Sequence, residues 1–186
     1  MRKIIKALSP AIACLFIMTI LCGVVYPGVV TAVAQAAFPN QANGSTLTVQ
    51  LKDGTTAVYG SALLAQEFSK PEYMIGRPNG TTNLSPTGSE QEKLVQQRID
   101  WWQAFDPGNT ADIPMDLVTA SGSGVDPNIS PEAAEYQVAR IAKERSISEK
   151  TVREIIKRCT SGRFLSFWGE PAVNVLKVNL SLDGLL

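Results

Sequence analysis

The chain has 186 residues, 45% hydrophobic and 18% charged, with 17 basic and 17 acidic side chains and no histidine. That length suits one globular domain plus an extra segment, and the lack of histidine removes the commonest general base and metal ligand together with any Ser-His-Asp or Cys-His arrangement. Arg2, Lys3 and Lys6 stand at the start, so 14 basic residues face 17 acidic ones beyond them, the opposite of the basic face that nucleic-acid binding requires.

No charged residue occurs between Lys6 and Lys52. Residues 11–37 are almost all apolar, with Gly23, Pro27 and Gly28 as interruptions. As a helix this stretch is ~40 Å long at 1.5 Å per residue, enough to cross a hydrocarbon core of ~30 Å with tilt. Residues 1–9 read as a basic cytoplasmic N-terminus and 10–37 as a transmembrane helix. Ser9-Pro10 supplies its expected start, since serine caps and proline is tolerated in a first turn. Pro27 is expected to kink the helix or to mark its exit from the membrane core. The positive charges before the span, with none directly after it, orient the N-terminus inward and the remainder outward. A cleaved secretory signal is the alternative, because Ala32-Val33-Ala34 and Ala34-Gln35-Ala36 both fit a small-x-small cleavage site. The apolar run is nearly twice a typical signal core, which favours retention. Small residues recur four apart at Ser9 and Ala13, Thr19 and Gly23, and Ala32 and Ala36, a spacing that allows close helix packing in lipid.

Residues 38–46 read as a polar linker, and 47–186 as one extracytoplasmic α+β domain. Leu47, Val49 and Leu51 alternate with Thr48, Gln50 and Lys52, the period of a half-buried strand. Asp53-Gly54 is a hairpin turn, with a returning strand over 55–59. Ser61 is expected to cap a short helix to about Phe68, and residues 71–88 form a long loop rich in proline and glycine. A helix from Ser89 to about Trp102 puts Leu94, Val95, Ile99 and Trp102 on one side. After a second irregular stretch, Ser130-Pro131 opens a helix with Ala134, Val138, Ile141 and Ala142 inward. Ser148 caps another helix with Val152, Ile155, Ile156 and Cys159 inward, ended by Gly162. The alternation of Leu176, Val178, Leu180 and Leu182 with polar residues predicts a terminal strand. Strands at both ends of a helical middle define an α+β domain.

Candidate chemistry is sparse. Ser121-Gly122-Ser123-Gly124 has no following lysine, so it reads as a turn or a partner-facing backbone surface and not as a phosphate cradle. Asp112, Asp116 and Asp126 match no cation-loop spacing and read as solvated or capping carboxylates. Cys14, Cys22 and Cys159 imply no disulfide framework and behave as small buried hydrophobes.

Three groups of residues together resemble a known family. They are Gly76-Arg77-Pro78 with Asn83-Leu84-Ser85-Pro86; the run from Asp116 through Thr119, Ser121-Gly122-Ser123-Gly124 and Asp126-Pro127-Asn128 to Ser130-Pro131; and Gly162-Arg163, Gly169-Glu170-Pro171, Val173-Asn174-Val175-Leu176 and Asn179. With Tyr26-Pro27 in the anchor, the chain closely resembles the C subunit of the Kdp potassium-transporting ATPase along nearly its whole length. Asn128 departs from the pattern, since members commonly carry histidine there. The resemblance implies a non-catalytic subunit of a high-affinity potassium uptake pump. Its expected partners are a potassium-translocating subunit, a P-type ATPase subunit and a small single-helix subunit, which handle ATP and potassium, so the chain has no cofactor of its own. The family is described as an assembly factor and as a catalytic chaperone that raises the ATP affinity of the ATPase subunit. An outward domain would be separated from ATP, which points to an indirect role: the helix packs on the translocating subunit and the domain sits over its potassium entrance. A direct ATP-binding chaperone and a membrane-anchored extracellular enzyme are the alternatives. The expected partner contacts are Arg77, Pro78, Asn83, Leu84, Pro86, Asp116, Thr119, Ser121, Gly122, Ser123, Gly124, Asp126, Pro127 and Asn128. Ser9, Ala13, Thr19, Gly23 and Pro27 are the expected membrane-packing positions.

Overall fold

The computed structural model describes residues 2–51, 53–81 and 83–186, with side chains from residue 8 onward in the first helix. The side chains of Arg2, Lys3 and Lys6, and Lys52 at the expected end of the first strand, lie outside the described set. The chain divides into two units, Met1–Ser45 and Thr46–Leu186.

The first unit is a continuous apolar helix with one irregular turn. Helix α1 (Arg2–Ile20) leads through a π-helical turn (Leu21–Val25) into α2 (Tyr26–Ala37), followed by the short α3 (Pro39–Ala42). The stretch Leu8–Ala37 is long and apolar enough to cross a membrane. One expectation changes here, and Pro27 takes a definite form. Pro10 lies inside α1 and does not begin it, because residues 2–9 are mostly good helix formers and the loss of one N–H does not stop them. Pro27 does not break the helix. Its ring would collide with the carbonyl four residues back, and the turn before it widens so that the Tyr26 N–H donates to the carbonyl of Leu21, five residues back. Residues 38–46 are also more ordered than a plain linker. Beyond α2 the Asn43 amide donates to the carbonyl of Pro39 at 2.7 Å and to Gln35 at 3.2 Å.

The second unit mixes helices with two small antiparallel sheets. Strands β1 (Thr46–Gln50) and β2 (Thr56–Ser61) form the expected hairpin, in which Thr55 N–H and Oγ1 donate to the Asp53 carboxylate at 2.9 and 2.6 Å. Helix α4 (Ser89–Phe105) buries Trp102, and Val95, Ile99 and Phe105 pack against the core beside it. A one-turn helix α5 (Met115–Val118) precedes β3 (Asn128–Ile129). Helix α6 (Pro131–Glu135) is capped by Ser130, whose Oγ accepts the Ala133 N–H, and α7 (Val138–Arg145) follows after a break at Tyr136 and Gln137. Helix α8 (Glu149–Arg158) is capped by Ser148, whose Oγ accepts the Thr151 N–H. Strands β4 (Thr160–Ser161) and β5 (Ala172–Asn174) follow, and α9 (Val175–Leu182) closes the fold. The second sheet has the order β3-β5-β4. Ala133, Ala134, Val138, Ile141, Val152, Ile155, Val173 and Val178 form the core with Met74 and Trp102.

Two predicted elements differ. No helix follows Ser61: its hydroxyl accepts the Leu63 N–H at 3.0 Å, the Ala65 N–H is drawn off to the Val125 carbonyl at 2.9 Å, and Leu63 and Leu64 stay exposed. The predicted terminal strand is helix α9. Asn174 caps it, its Oδ1 accepting the Lys177 N–H at 3.0 Å, and Val175 and Asn179 are buried together with Leu176, Val178 and Leu180. A helix buried nearly all round satisfies an alternating pattern as well as a strand does, so the period of two did not discriminate.

Candidate partner interface

The segment of residues 71–75 lies outside the named strands, yet its backbone is paired residue by residue with side chains from α7, from α9 and from Gln137 in the break before α7. Arg140 of α7 donates to the carbonyls of Pro71 and, at 3.0 Å, of Tyr73. Arg145 donates to the carbonyl of Glu72 at 2.7 Å. The amide of Asn179 accepts the Met74 N–H at 2.8 Å and donates to the Met74 carbonyl at 2.9 Å. Gln137 accepts the Ile75 N–H at 2.8 Å and donates to the Ile75 carbonyl at 2.9 Å. Two buried amides thus do the work of an adjacent strand. Arg140 also lies 4.9 Å over the Phe105 ring. Burial lowers its pKa to about 10, against the opposing pull of Asp106, Glu144 and Tyr136.

This clamp fixes where Gly76-Arg77-Pro78 emerges. Arg77 then reaches α5, pairing with Asp116 at 3.1 Å and with the Thr119 hydroxyl at 3.4 Å. The other oxygen of Asp116 accepts the Ser130 N–H at 2.7 Å. One half-buried carboxylate therefore ties the first loop, α5 and the start of α6 together. The loops meet again further out, where Gly80 N–H donates to the Gly124 carbonyl at 2.9 Å. Gly124 is buried with φ +72°, and a Cβ there would stand 2.7 Å from the carbonyl carbon of Gly80. At the far end Pro127 accepts the Val175 N–H at 3.1 Å, and Asn128 pairs with Asn174 across the sheet, its Oδ1 accepting from Nδ2 at 3.4 Å.

Of the expected contact residues, Arg77, Pro78, Asp116, Thr119, Ser121, Gly124, Asp126, Pro127 and Asn128 are buried or half-buried and belong to this two-loop platform. Asn83 (φ +52°), Pro86, Gly122 and Ser123 are exposed, and Leu84 is half-buried. The carboxylates behave as caps: Asp126 accepts the Asn128 N–H at 3.0 Å, and Asp112 is exposed. The Ser-Gly turn uses its own donors. Gly124 N–H goes to Ser121 Oγ at 2.9 Å, Val125 N–H to Ser123 Oγ at 3.2 Å, and Asp126 N–H to Ser121 Oγ at 3.4 Å. Those N–H groups are not free to cradle a phosphate, which supports the turn reading over the cradle. Beside the platform, α4 and the clamped segment enclose a cleft of about 420 Å³ that includes Phe68, Arg77, Arg98 and Trp101 in its wall. Arg98 donates to the Val118 carbonyl at 2.9 Å, so it too serves the fold. In the first unit, Ser9, Ala13, Thr19, Gly23 and Pro27 are all exposed. Gly23 lies within the π turn, so its separation from Thr19 is not that of a regular α-helix.

Sequence reasoning missed Gln137, Arg140 and Arg145, whose only signal was polar residues falling on apolar helix faces, and it noted Asn179 among the family-like residues without giving it a role. It also missed the exposed run Phe164, Leu165, Phe167 and Trp168 between Gly162 and Gly169, whose signal was four large apolar residues in five positions with no amphipathic period.

The chain thus joins an apolar helix long enough to cross a membrane to a mixed helix-and-sheet unit whose polar side chains brace two loops, the architecture of a membrane-associated protein. The family model "K+-transporting ATPase, c chain" matches residues 8–184. The potassium-transporting ATPase KdpC subunit of Listeria welshimeri is 55% identical over 100% of this chain and 99% of its own length. Those of Sorangium cellulosum and Methylococcus capsulatus are 48% and 46% identical over 95% and 97% of the chain and 97% and 99% of their own lengths. The chain belongs to the KdpC family, the C subunits of potassium-transporting ATPases.

Proposed function

We propose that the chain is a non-catalytic accessory subunit that assembles and stabilises a P-type potassium uptake pump and acts on its ATPase subunit indirectly. The observation that carries this reading is the two-loop platform: residues 71–80 and 116–128 are clamped to the core by Gln137, Arg140, Asn179, Asp116 and the Gly80–Gly124 contact. A preorganised surface suits docking, because little conformational entropy is lost on binding. The partners are the potassium-translocating subunit, the P-type ATPase subunit and the small single-helix subunit, which handle the potassium and the ATP; this chain needs no cofactor of its own. The helix Leu8–Ala37 spans the membrane with its N-terminus in the cytoplasm, an orientation supported by Arg2, Lys3 and Lys6. Inclusion of that helix in the family match supports its retention over cleavage. The domain is then extracytoplasmic, away from ATP, and contributes a mildly acidic surface near the potassium entrance.

Co-purification with the translocating subunit, with and without residues 1–38, tests the assembly role. Full-length chain is expected to co-purify, and the truncated form to recover a small fraction of it. If the truncated domain assembles a fully active pump, the helix is only a tether. Orientation is tested at Ser123, which is exposed. Ser123→Cys, in a background lacking the native cysteines, is expected to react in intact cells with a membrane-impermeant maleimide. Labelling only after the cells are opened would overturn the topology and favour the direct ATP-binding alternative.

A further inference from the structure

The turn between Gly162 and Gly169 exposes four large apolar side chains at once. Phe164, Leu165, Phe167 and Trp168 are 70%, 65%, 72% and 69% exposed. Isolated surface apolar residues need no explanation, but four contiguous ones on a protruding turn mark a contact surface. The turn is also built: Phe164 and Trp168 exchange backbone hydrogen bonds, Phe164 N–H to Trp168 O at 2.8 Å and Trp168 N–H to Phe164 O at 2.9 Å. Ser166 N–H donates to Arg163 O at 3.2 Å, and Phe167 N–H to Phe164 O at 3.3 Å. Leu165 and Ser166 both take left-handed φ values, +50° and +68°, a conformation that non-glycine residues adopt only where the surroundings impose it. At the base, Arg163 pairs with Glu170 at 2.8 Å, so the charges are held behind the apolar tip.

We propose that this turn dips into the interfacial layer of the membrane that holds the chain's own helix, with Phe164, Leu165, Phe167 and Trp168 as the inserted residues. Three observations favour lipid over a protein pocket. The N–H groups of Phe164, Ser166, Phe167 and Trp168 are paired within the turn, which lowers the cost of bringing its backbone into the interfacial layer. Tryptophan and phenylalanine at a tip, with charges at the base, match the aromatic belt of membrane interfaces. Only residues 38–45 separate the apolar helix, which ends at Ala37, from the domain, which begins at Thr46. That connection spans at most about 30 Å even when extended, which keeps the membrane surface within reach of the domain. The inference rests on Leu8–Ala37 being retained as a membrane span, and it is independent of any partner subunit.

The test uses the full chain with Cys14→Ala, Cys22→Ala and Cys159→Ser and one new cysteine, Phe167→Cys or Leu165→Cys, carrying an environment-sensitive nitrobenzoxadiazole label. Met115→Cys, at a position 73% exposed in the second unit, is the control. The proteins are reconstituted in phosphatidylcholine–phosphatidylglycerol vesicles with or without a nitroxide lipid. Flotation with the vesicles checks the span separately from the turn. We expect blue-shifted emission and several-fold stronger quenching by the nitroxide lipid at positions 167 and 165 than at 115. Labels at 167 and 165 that are quenched freely by aqueous iodide and not by the lipid, in protein that floats, would overturn the proposal. Shielding that appears only when the other pump subunits are co-assembled, or only at high chain density, would also overturn it, assigning the turn to a protein partner or to a second copy.

Discussion

Asn179 sits in the middle of a helix, yet it acts as the neighbouring strand of Met74, satisfying both backbone groups of a fully buried residue. Replacing it by leucine keeps the branched shape, with bulkier methyl ends, but leaves a buried N–H and a buried C=O without partners, at a cost of about 2–4 kcal/mol. Asn179→Leu is expected to lower the urea midpoint with little change in slope, and an unchanged midpoint would show that water replaces the amide. Tyr73, in the same segment, donates its hydroxyl to Asp183 at 3.1 Å and lies under Arg145. Burial and then the Asp183 carboxylate raise its pKa above the ordinary 10.0. The folded state thus holds the phenolic proton more tightly, a stabilisation fully present below pH 10.0 and lost as pH rises through the folded value. Arg140, with its pKa lowered to about 10, contributes the opposite slope over the same alkaline window. The difference between wild type and Tyr73→Phe therefore isolates the tyrosine. Urea unfolding across pH 9 to 11, roughly one unit either side of the free phenol, is expected to show the variant's deficit shrinking as pH rises; a constant deficit would contradict the shift.

At the scale of elements, two glycine and proline positions decide geometry that their neighbours then follow. Gly124 is pinned against the backbone of Gly80 with a left-handed φ of +72°. An added methyl both strains that conformation and drives the two loops apart, so Gly124→Ala is expected to cost about 2 kcal/mol or more. Thermal unfolding would report the loss, and faster amide exchange at Gly80 would locate it. Pro27 stands two residues past the π turn and accounts for it by removing a donor and crowding a carbonyl. In Pro27→Ala the turn is expected to return to α-helical pairing, rotating the rest of α2 (Tyr26–Ala37) by about 100° against α1 (Arg2–Ile20), the step of one residue at 3.6 per turn. Cysteine-accessibility scanning over residues 28–36 would see the exposed face move; an unmoved face would mean that lipid or partner packing, and not the proline, holds the wide turn.

At the scale of the whole molecule, the chain joins a span-length helix to a domain in which no catalytic group is assembled among the described residues and the strongest polar side chains brace loops. The rigid two-loop platform and the exposed aromatic turn are separate surfaces, and each can be removed without touching the other. Gly124→Ala tests the first in pump assembly, and labels at Phe167 and Leu165 test the second in lipid.

The sequence by itself determined the apolar span, the hairpin at Asp53-Gly54, the capped helices behind Ser130 and Ser148, and the family. Each is carried by a short-range signal: unbroken hydropathy, turn chemistry, a serine ahead of a periodic apolar face, or motif order. It also marked residues 76–86 and 116–128 as the loops to watch. Only the tertiary structure decided that these loops share one platform, because the residues that hold them, Gln137, Arg140 and Asn179, act 62 to 105 positions away along the chain. It likewise decided that residues 175–182 are helix, since a segment covered on nearly every side carries no periodicity that tells helix from strand. The widened turn before Pro27 stayed hidden because a proline predicts a disturbance and not which hydrogen-bond pattern absorbs it, and the outward aromatic turn at 164–168 because backbone pairing within it sets which way its side chains face.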